Sequence, residues 1–561
     1  MLFVALVVGP SLNLAFVGDD YVFLDKTRDA TFLSLWSRSN TDFGWYRPWA
    51  REFYFWSIQR PLGPDATVFR LVNIALWVIA LCLYARIIEH VSGRRSAVLA
   101  SLGVASAAFW GTPLLWISGS QDLWMLVFAM LSVLLFVSGR ERWAAAPFAL
   151  ALLSKETAGV VPLLLVSYLV FIRRARLSRV ARAMLPFTAI VLTWLFVHPT
   201  LLPRLFGQPA SAAELESRPG WMMTLIMAAA SCLNLDRQLR PQELSLDVVG
   251  RYLAAAVLLA GSAYLLLRRN AGPRTVIDPR RQALLAAAWA AIGWFPLVLP
   301  SIGYHAYYGC MGALGVWFGI ALALCSRPGF AAVVVFASVL LRGAQAQTPS
   351  SDWGDESYFR RAGSTLTAIR SELLRQHPTL GAHSRVYFAN IPYHIGLVAG
   401  ESPALRVWYG DSTLQAGYYS YYRPRAASSR EAPDYFFRFD SAAGMVEVRV
   451  GQESIPRTET MRRRWEMDHD GLAALFVAKG DYARAAGEFE KLSMLPGRPD
   501  AALCASVCRR FLGQDPAADS LVRAAQLLSG APPDRMVAVL ARIEVDFKRA
   551  RETDSLASSG P

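Results

Sequence analysis

Ala15-Phe-Val-Gly-Asp-Asp-Tyr21 places two adjacent carboxylates, Asp19 and Asp20, directly behind the apolar run Met1–Val17. In a membrane protein, ionisable groups at the mouth of the bilayer are expensive to keep there and carry a functional reading by default. The plain alternative is a polar helix end. The run before them has no basic leading region and no small-residue cleavage pattern, so it reads as a first transmembrane helix and not as a signal peptide.

Composition supports the membrane setting. Hydrophobic residues make up 54% of the 561, and mean hydropathy is +0.29, which is too apolar for an ordinary soluble enzyme of this length. The formal charge of +14 gathers in short clusters between apolar runs. That pattern suits cytoplasmic loops and argues against nucleic-acid binding. Cys82, Cys232, Cys310, Cys325, Cys504 and Cys508 form no metal-ligand spacing.

A hydrocarbon core of about 30 Å takes roughly 20 residues of helix. Runs near Val68–Tyr84, Ala97–Ile117, Leu123–Val137, Leu185–Thr200, Tyr252–Leu267, Leu284–Leu299, Gly309–Leu324 and Ala331–Leu341 are expected to cross. The clusters Arg94-Arg95, Arg140–Arg142, Arg173–Arg182 and Arg268–Arg281 set the cytoplasmic side and place Asp19, Asp20 and Gly119–Asp122 outside. Between Arg142 and Arg173 lie about thirty residues, whereas two full spans need about forty. The interruption Ser154-Lys155-Glu156 then marks two short helices meeting at a turn below the outer surface. Irregular backbone at that depth is tolerated only against protein or a water-filled cavity, so Lys155 and Glu156 are expected to line one that opens outward.

These runs predict a mainly α, polytopic membrane helix bundle of about eleven spans. The expected division is a transmembrane domain at 1–343 with an outer loop at about 18–66, an extracytoplasmic α/β region at 344–465, and a helical region at 466–561. Arg385–Pro392 and Asp434–Phe439 read as strands and Thr365–Arg375 as helix. Under a shift of 33 residues Gly480 meets Gly513 and Ala485 meets Ala518, near the tetratricopeptide (TPR) period of about 34. In the outer loop, Phe32–Trp36 and Trp45-Tyr-Arg-Pro-Trp49 interleave aromatic and basic residues. Lys26, Arg28, Arg38 and Arg51 are expected to meet anionic headgroups there.

Several landmarks then fall in a family order: Asp19-Asp20-Tyr21, Tyr46-Arg47-Pro48, Phe69-Arg-Leu-Val-Asn73, Trp116-Ile-Ser-Gly119 with Asp122, Leu153-Ser-Lys-Glu156, and Tyr304-His-Ala-Tyr-Tyr308. The chain resembles the GT-C superfamily glycosyltransferases, in particular O-mannosyltransferase-like membrane proteins with C-terminal TPR repeats. Three positions depart from that pattern: Thr112 where relatives often have an acid, Ser120 where they often have Arg, and His305 in place of Arg.

The resemblance implies a sugar donor carried on a polyprenyl phosphate, attacked by an acceptor hydroxyl on the outer face with inversion. An alcohol needs a carboxylate to take its proton, and a leaving phosphate needs fixed cations. Asp19 is the expected base. Asp20 either orients the acceptor or shares a divalent cation with Asp19; no other cofactor is expected. Arg47, Lys155 and His305 are the expected phosphate clamps, with Tyr304 beside His305. Glu156 either lines the site or pairs with Lys155, and Asp122 is either a site residue or a helix N-cap. The partners are then a polyprenyl-phosphate-linked sugar, membrane lipids, and an acceptor that is a protein, a glycan or a lipid. The expected location is a bacterial inner membrane with the C-terminal region in the periplasm or outside. The rival reading is a catalytically inactive GT-C-like scaffold that binds partners through its repeats.

Overall fold

The computed structural model describes residues 2–200, 219–237, 245–269, 277–299, 304–349, 354–392, 402–425, 432–440, 444–451 and 454–558. The chain forms two compact units, Met1–Thr367 and Ala368–Pro561.

In the first unit, seven helices among the described residues are long and apolar enough to cross a membrane: Ala66–Ser92, Ile117–Val137, Leu177–Val197, Leu246–Arg269, Pro279–Val298, Ala306–Leu324 and Pro328–Ala346. An eighth is counted when Arg94–Ala105 and Ala108–Leu115 are taken as one span bent by 64°. Three of the expected eleven crossings stand outside this set. One is the first apolar run, which is not a single helix. It forms Leu2–Val7, a 3-10 turn at Gly9–Ser11, and then irregular backbone as far as Gly18. Pro10 is the physical reason, because it lacks an N–H and clashes with the preceding helical turn. The other two are the short helices around the predicted interruption. Glu141–Ser154 ends at Lys155, whose backbone is extended (φ −161°, ψ 139°), and a 3-10 turn at Glu156–Val160 leads into Val161–Phe171.

Small residues allow close helix packing, as is usual where lipid surrounds the bundle. A Cβ on Gly293 would lie 2.5 Å from the Gly312 nitrogen, so the helices bearing them meet backbone to backbone.

In the second unit, strands β1 (Arg385–Ala389), β2 (Gln415–Tyr418), β3 (Asp434–Asp440) and β4 (Gly444–Glu447) form a sheet of order β2-β1-β3-β4. β1 is parallel to β2 and β3, and β4 runs antiparallel to β3. Five helices follow: Glu459–Ala478, Tyr482–Ser493, Pro499–Phe511, Asp515–Ser529 and Pro533–Ser558. Tyr387, Tyr422 and Phe436 from the α/β part pack in one core with Leu472, Phe476, Ala485 and Phe489. The regions expected at 344–465 and 466–561 therefore share an interior, because the hydrophobic face of the sheet is covered by the first helices. Gly480 (φ +72°) and Gly513 (φ +69°) close matching turns in left-handed backbone.

Candidate active site

Gly18 (φ +65°) turns the chain so that Asp19 and Asp20 open the helix Asp19–Thr27, where the positive end of the helix dipole favours negative charge. Asp20 is fully buried. One of its oxygens accepts from the Val17 N–H at 2.9 Å. The other accepts from the Ser118 N–H at 2.7 Å and the Ser118 hydroxyl at 2.6 Å. Both oxygens are thus taken by the protein, which makes Asp20 a tie between the first loop and the Trp116-Ile-Ser-Gly119 segment. That arrangement does not suit a cation bridging the Asp pair. Among the described residues, no cluster of three or more metal-ligating side chains is found.

Asp19 differs from its neighbour. It is half-buried, and among the described residues no other side chain hydrogen-bonds its carboxylate. Burial pushes it up to about 7, with the Asp20 charge adding to the rise and the nearby Arg51 and Arg47 cations opposing it. Burial also raises Asp20, to about 6, against the pull of its Ser118 hydrogen bonds.

Both values lie above the ordinary 3.8, so ionising these groups opposes folding. Their contribution to stability is fully present below about pH 4 and is lost as pH rises through about 6 and 7. Thermal unfolding of the purified protein in detergent is expected to show Tm falling across that window, and Asp19→Asn should remove the upper part of the fall. An unchanged profile in the variant would contradict the raised Asp19 value.

The irregular segment around Trp116 is held by the Phe69–Asn73 landmark. Arg70 is buried and donates to the carbonyls of Leu115 (3.1 Å), Leu12 (2.9 Å), Ala15 (2.7 Å) and Leu14. Asn73 donates to the Pro113 and Ile117 carbonyls and accepts from the Tyr54 hydroxyl. These are backbone groups released by the break between helices, and unpaired they would each cost about 1–3 kcal/mol. Arg70→Leu is therefore expected to destabilise the first unit on the order of 3 kcal/mol or more. A Tm within a degree or two of the parent would show that water or neighbouring groups replace Arg70.

The cationic side of the site is built from two ion pairs. Arg47 grips Glu156 with two prongs, Nε to Oε2 at 2.8 Å and Nη2 to Oε1 at 2.5 Å, and Nη1 donates to the Gln121 side-chain oxygen. The guanidinium also lies 5.0 Å from the centre of the Trp45 ring. Lys155 donates to both Asp122 oxygens at 2.6 and 2.7 Å and lies 4.5 Å from the Tyr308 ring centre. The expected Lys155–Glu156 pair is thus replaced by an exchange of partners. In extended backbone, successive side chains point to opposite faces, so Lys155 and Glu156 diverge. Asp122 sits within the first turn of the helix Ser120–Val137, whose N-cap is Gly119, so it is not the cap.

The late landmark divides. Tyr307 and Tyr308 face Lys155, and His305 lies against both tyrosine rings. Tyr304 lies instead among Cys232, Asp236 and Arg237, away from the ion pairs. The basic residues of the outer loop divide between the interior and the surface. Arg51 is buried and donates to the Asp42, Trp45 and Asn40 carbonyls, while Lys26 pairs with Asp42 and Glu52. Arg28 pairs with Asp25, and Arg38 donates to the Phe196 carbonyl. Arg51 and Lys26 brace the loop from inside, since buried carbonyls and carboxylates need donors, whereas Arg38 stays exposed. Exposed Phe32 and Leu33 remain as its apolar tip.

Sequence reading missed two residues. Gln121 links the Ser118 carbonyl to Arg47. His198 accepts the Tyr46 N–H at 3.2 Å. Gln121 lay unmarked between two landmarks, and His198 lies 152 residues from its partner with no local signal.

No protein-family model matches the chain. No curated protein sequence matches it. Among solved structures, the chain is similar to ArnT from Cupriavidus metallidurans in the apo state, with TM-score 0.33 and 15% identity over 79% of this chain and 93% of that one. It is similar to the same protein bound to undecaprenyl phosphate with TM-score 0.35 and the same identity and coverage. Likeness at this level decides neither fold nor chemistry, which rest on the residues above.

Proposed function

We propose that this chain is a polytopic membrane glycosyltransferase of the GT-C kind. It transfers a sugar from a polyprenyl-phosphate-linked donor to an acceptor hydroxyl, with inversion. The observation that carries this reading is the placement of Asp19, a carboxyl raised to about 7, near Arg47 in a cluster that also holds Lys155. Asp19 takes the acceptor proton as attack proceeds. A carboxyl titrating near the working pH suits that task, because it is available as carboxylate yet basic enough to accept. Arg47 and Lys155 stabilise the charge that grows on the departing phosphate. Tyr307 and Tyr308 border the Lys155 cation, with His305 packed on their rings, and Asp20, Arg70 and Asn73 hold the backbone that aims these groups. Transfer is therefore expected to rise with pH through about 7, opposite in sign to the stability trend.

The test is direct. Purified protein in lipid nanodiscs is supplied with polyprenyl-phosphate-linked sugars, and release of polyprenyl phosphate is measured together with surface glycans of cells with and without the gene. No release from any donor and unchanged glycans would leave the inactive scaffold as the better reading, which the full pairing of both cations favours.

The same reading puts the Asp19 site on the outer face and the region after Ala344 outside, with its TPR-like helices available to a protein partner. A reporter active only in the cytoplasm, fused after Pro561, is expected to be silent. Strong reporter activity would reverse the orientation.

A further inference from the structure

Arg47 and Lys155 hold their carboxylates in different ways. Lys155 has three rotatable donors, two of them on Asp122, and its ammonium is compact, so an added anion can approach while Asp122 stays. Arg47 has a planar fork, and Glu156 occupies its Nε and Nη2 edge bidentately, the geometry that also recognises phosphate. The Arg47 and Glu156 side chains are 12% and 9% exposed, so their mutual attraction is weakly screened. Two cations and two carboxylates leave the group electroneutral, a poor trap for an anion unless one carboxylate yields. Gln121 and the Trp45 ring keep the guanidinium aimed independently of Glu156.

We infer that Glu156 is a competing counter-charge for Arg47, contending with an anionic phosphate headgroup for one guanidinium and so setting how readily the site releases it. This rests on the phosphate-binding reading of the same site. A phosphoryl product held by a nearly buried guanidinium with no resident counter-charge would leave slowly. A resident carboxylate that re-engages the fork makes departure an exchange and not a bare loss of an ion pair.

The experiment measures binding of farnesyl phosphate to the detergent-solubilised full chain, with farnesol as the uncharged control and inorganic phosphate as the headgroup alone. Glu156→Gln is expected to tighten farnesyl phosphate binding by at least about tenfold, because it leaves a buried guanidinium seeking an anion, with farnesol unaffected. Tightening shared by inorganic phosphate assigns the gain to the phosphate group itself. Tightening confined to farnesyl phosphate assigns it to the lipid-linked headgroup. Glu156→Asp keeps the charge but shortens its reach, so a smaller tightening is expected, and this variant decides the matter if Glu156→Gln does not fold. Level or weaker binding in a folded Glu156 variant overturns the inference. If the parent also binds farnesyl phosphate and the folded double variant Lys155→Met with Asp122→Asn loses that binding, the phosphate reading survives and only the counter-charge role falls. If neither parent nor variant prefers farnesyl phosphate over farnesol, both fall.

Discussion

Asp19→Asn is expected to lower transfer by a factor of about 10² or more while leaving donor binding intact. Asn keeps the shape and the position at the helix start but cannot take a proton. The fold should not suffer, because Asp19 takes no hydrogen bond from another side chain among the described residues and its ionisation opposes folding. Asp20→Asn is expected to fail differently. Its two oxygens accept three hydrogen bonds, so an amide nitrogen at either place loses at least one of them and should loosen the first loop from Ser118. Loss of transfer with a Tm that is kept or raised marks the base, and loss of both marks the tie. Parent-level turnover in Asp19→Asn would end its assignment as base.

The second large effect concerns Lys155. Lys155→Met leaves Asp122 as a nearly buried carboxylate without its counter-ion, which should destabilise the protein by about 3–5 kcal/mol and stop transfer. The double change Lys155→Met with Asp122→Asn removes both charges. It should recover most of the stability, since no unpaired ion remains. Transfer is the discriminating readout. If Lys155 stabilises the leaving phosphate, the double variant stays inactive although folded, because the cation acts on the departing group. A folded double variant with near-parent transfer would reduce Lys155 to a structural partner of Asp122.

Much of the candidate site was legible because chemistry-bearing residues stand out against an apolar background. Asp19, Arg47 and Lys155 were visible as charges at places where charge is costly. The break at Ser154-Lys155-Glu156 was visible as a shortage of residues between two basic clusters, and the structure has it at Lys155. Other features were hidden because they depend on faces and not on spacing. Tyr304 was read with its neighbours, yet the 3-10 turn Ala306–Gly309 directs Tyr307 and Tyr308 to Lys155 and leaves Tyr304 elsewhere. The cations of the outer loop were read as surface charges, and the folded loop buries Arg51 against its own carbonyls.

By itself the sequence determined the class: apolar runs of spanning length, basic loops between them, strands and then helices in the tail, and an ordered set of polar landmarks. Local composition suffices for these, since hydropathy and periodicity are properties of contiguous residues. Only the tertiary structure decided who pairs with whom. Glu156 stands beside Lys155 in the chain but binds Arg47, 109 residues away, and Lys155 binds Asp122, 33 residues away. Extended backbone at Lys155 sends the two side chains apart, and helix packing, which no local pattern encodes, brings the distant partners within hydrogen-bonding range.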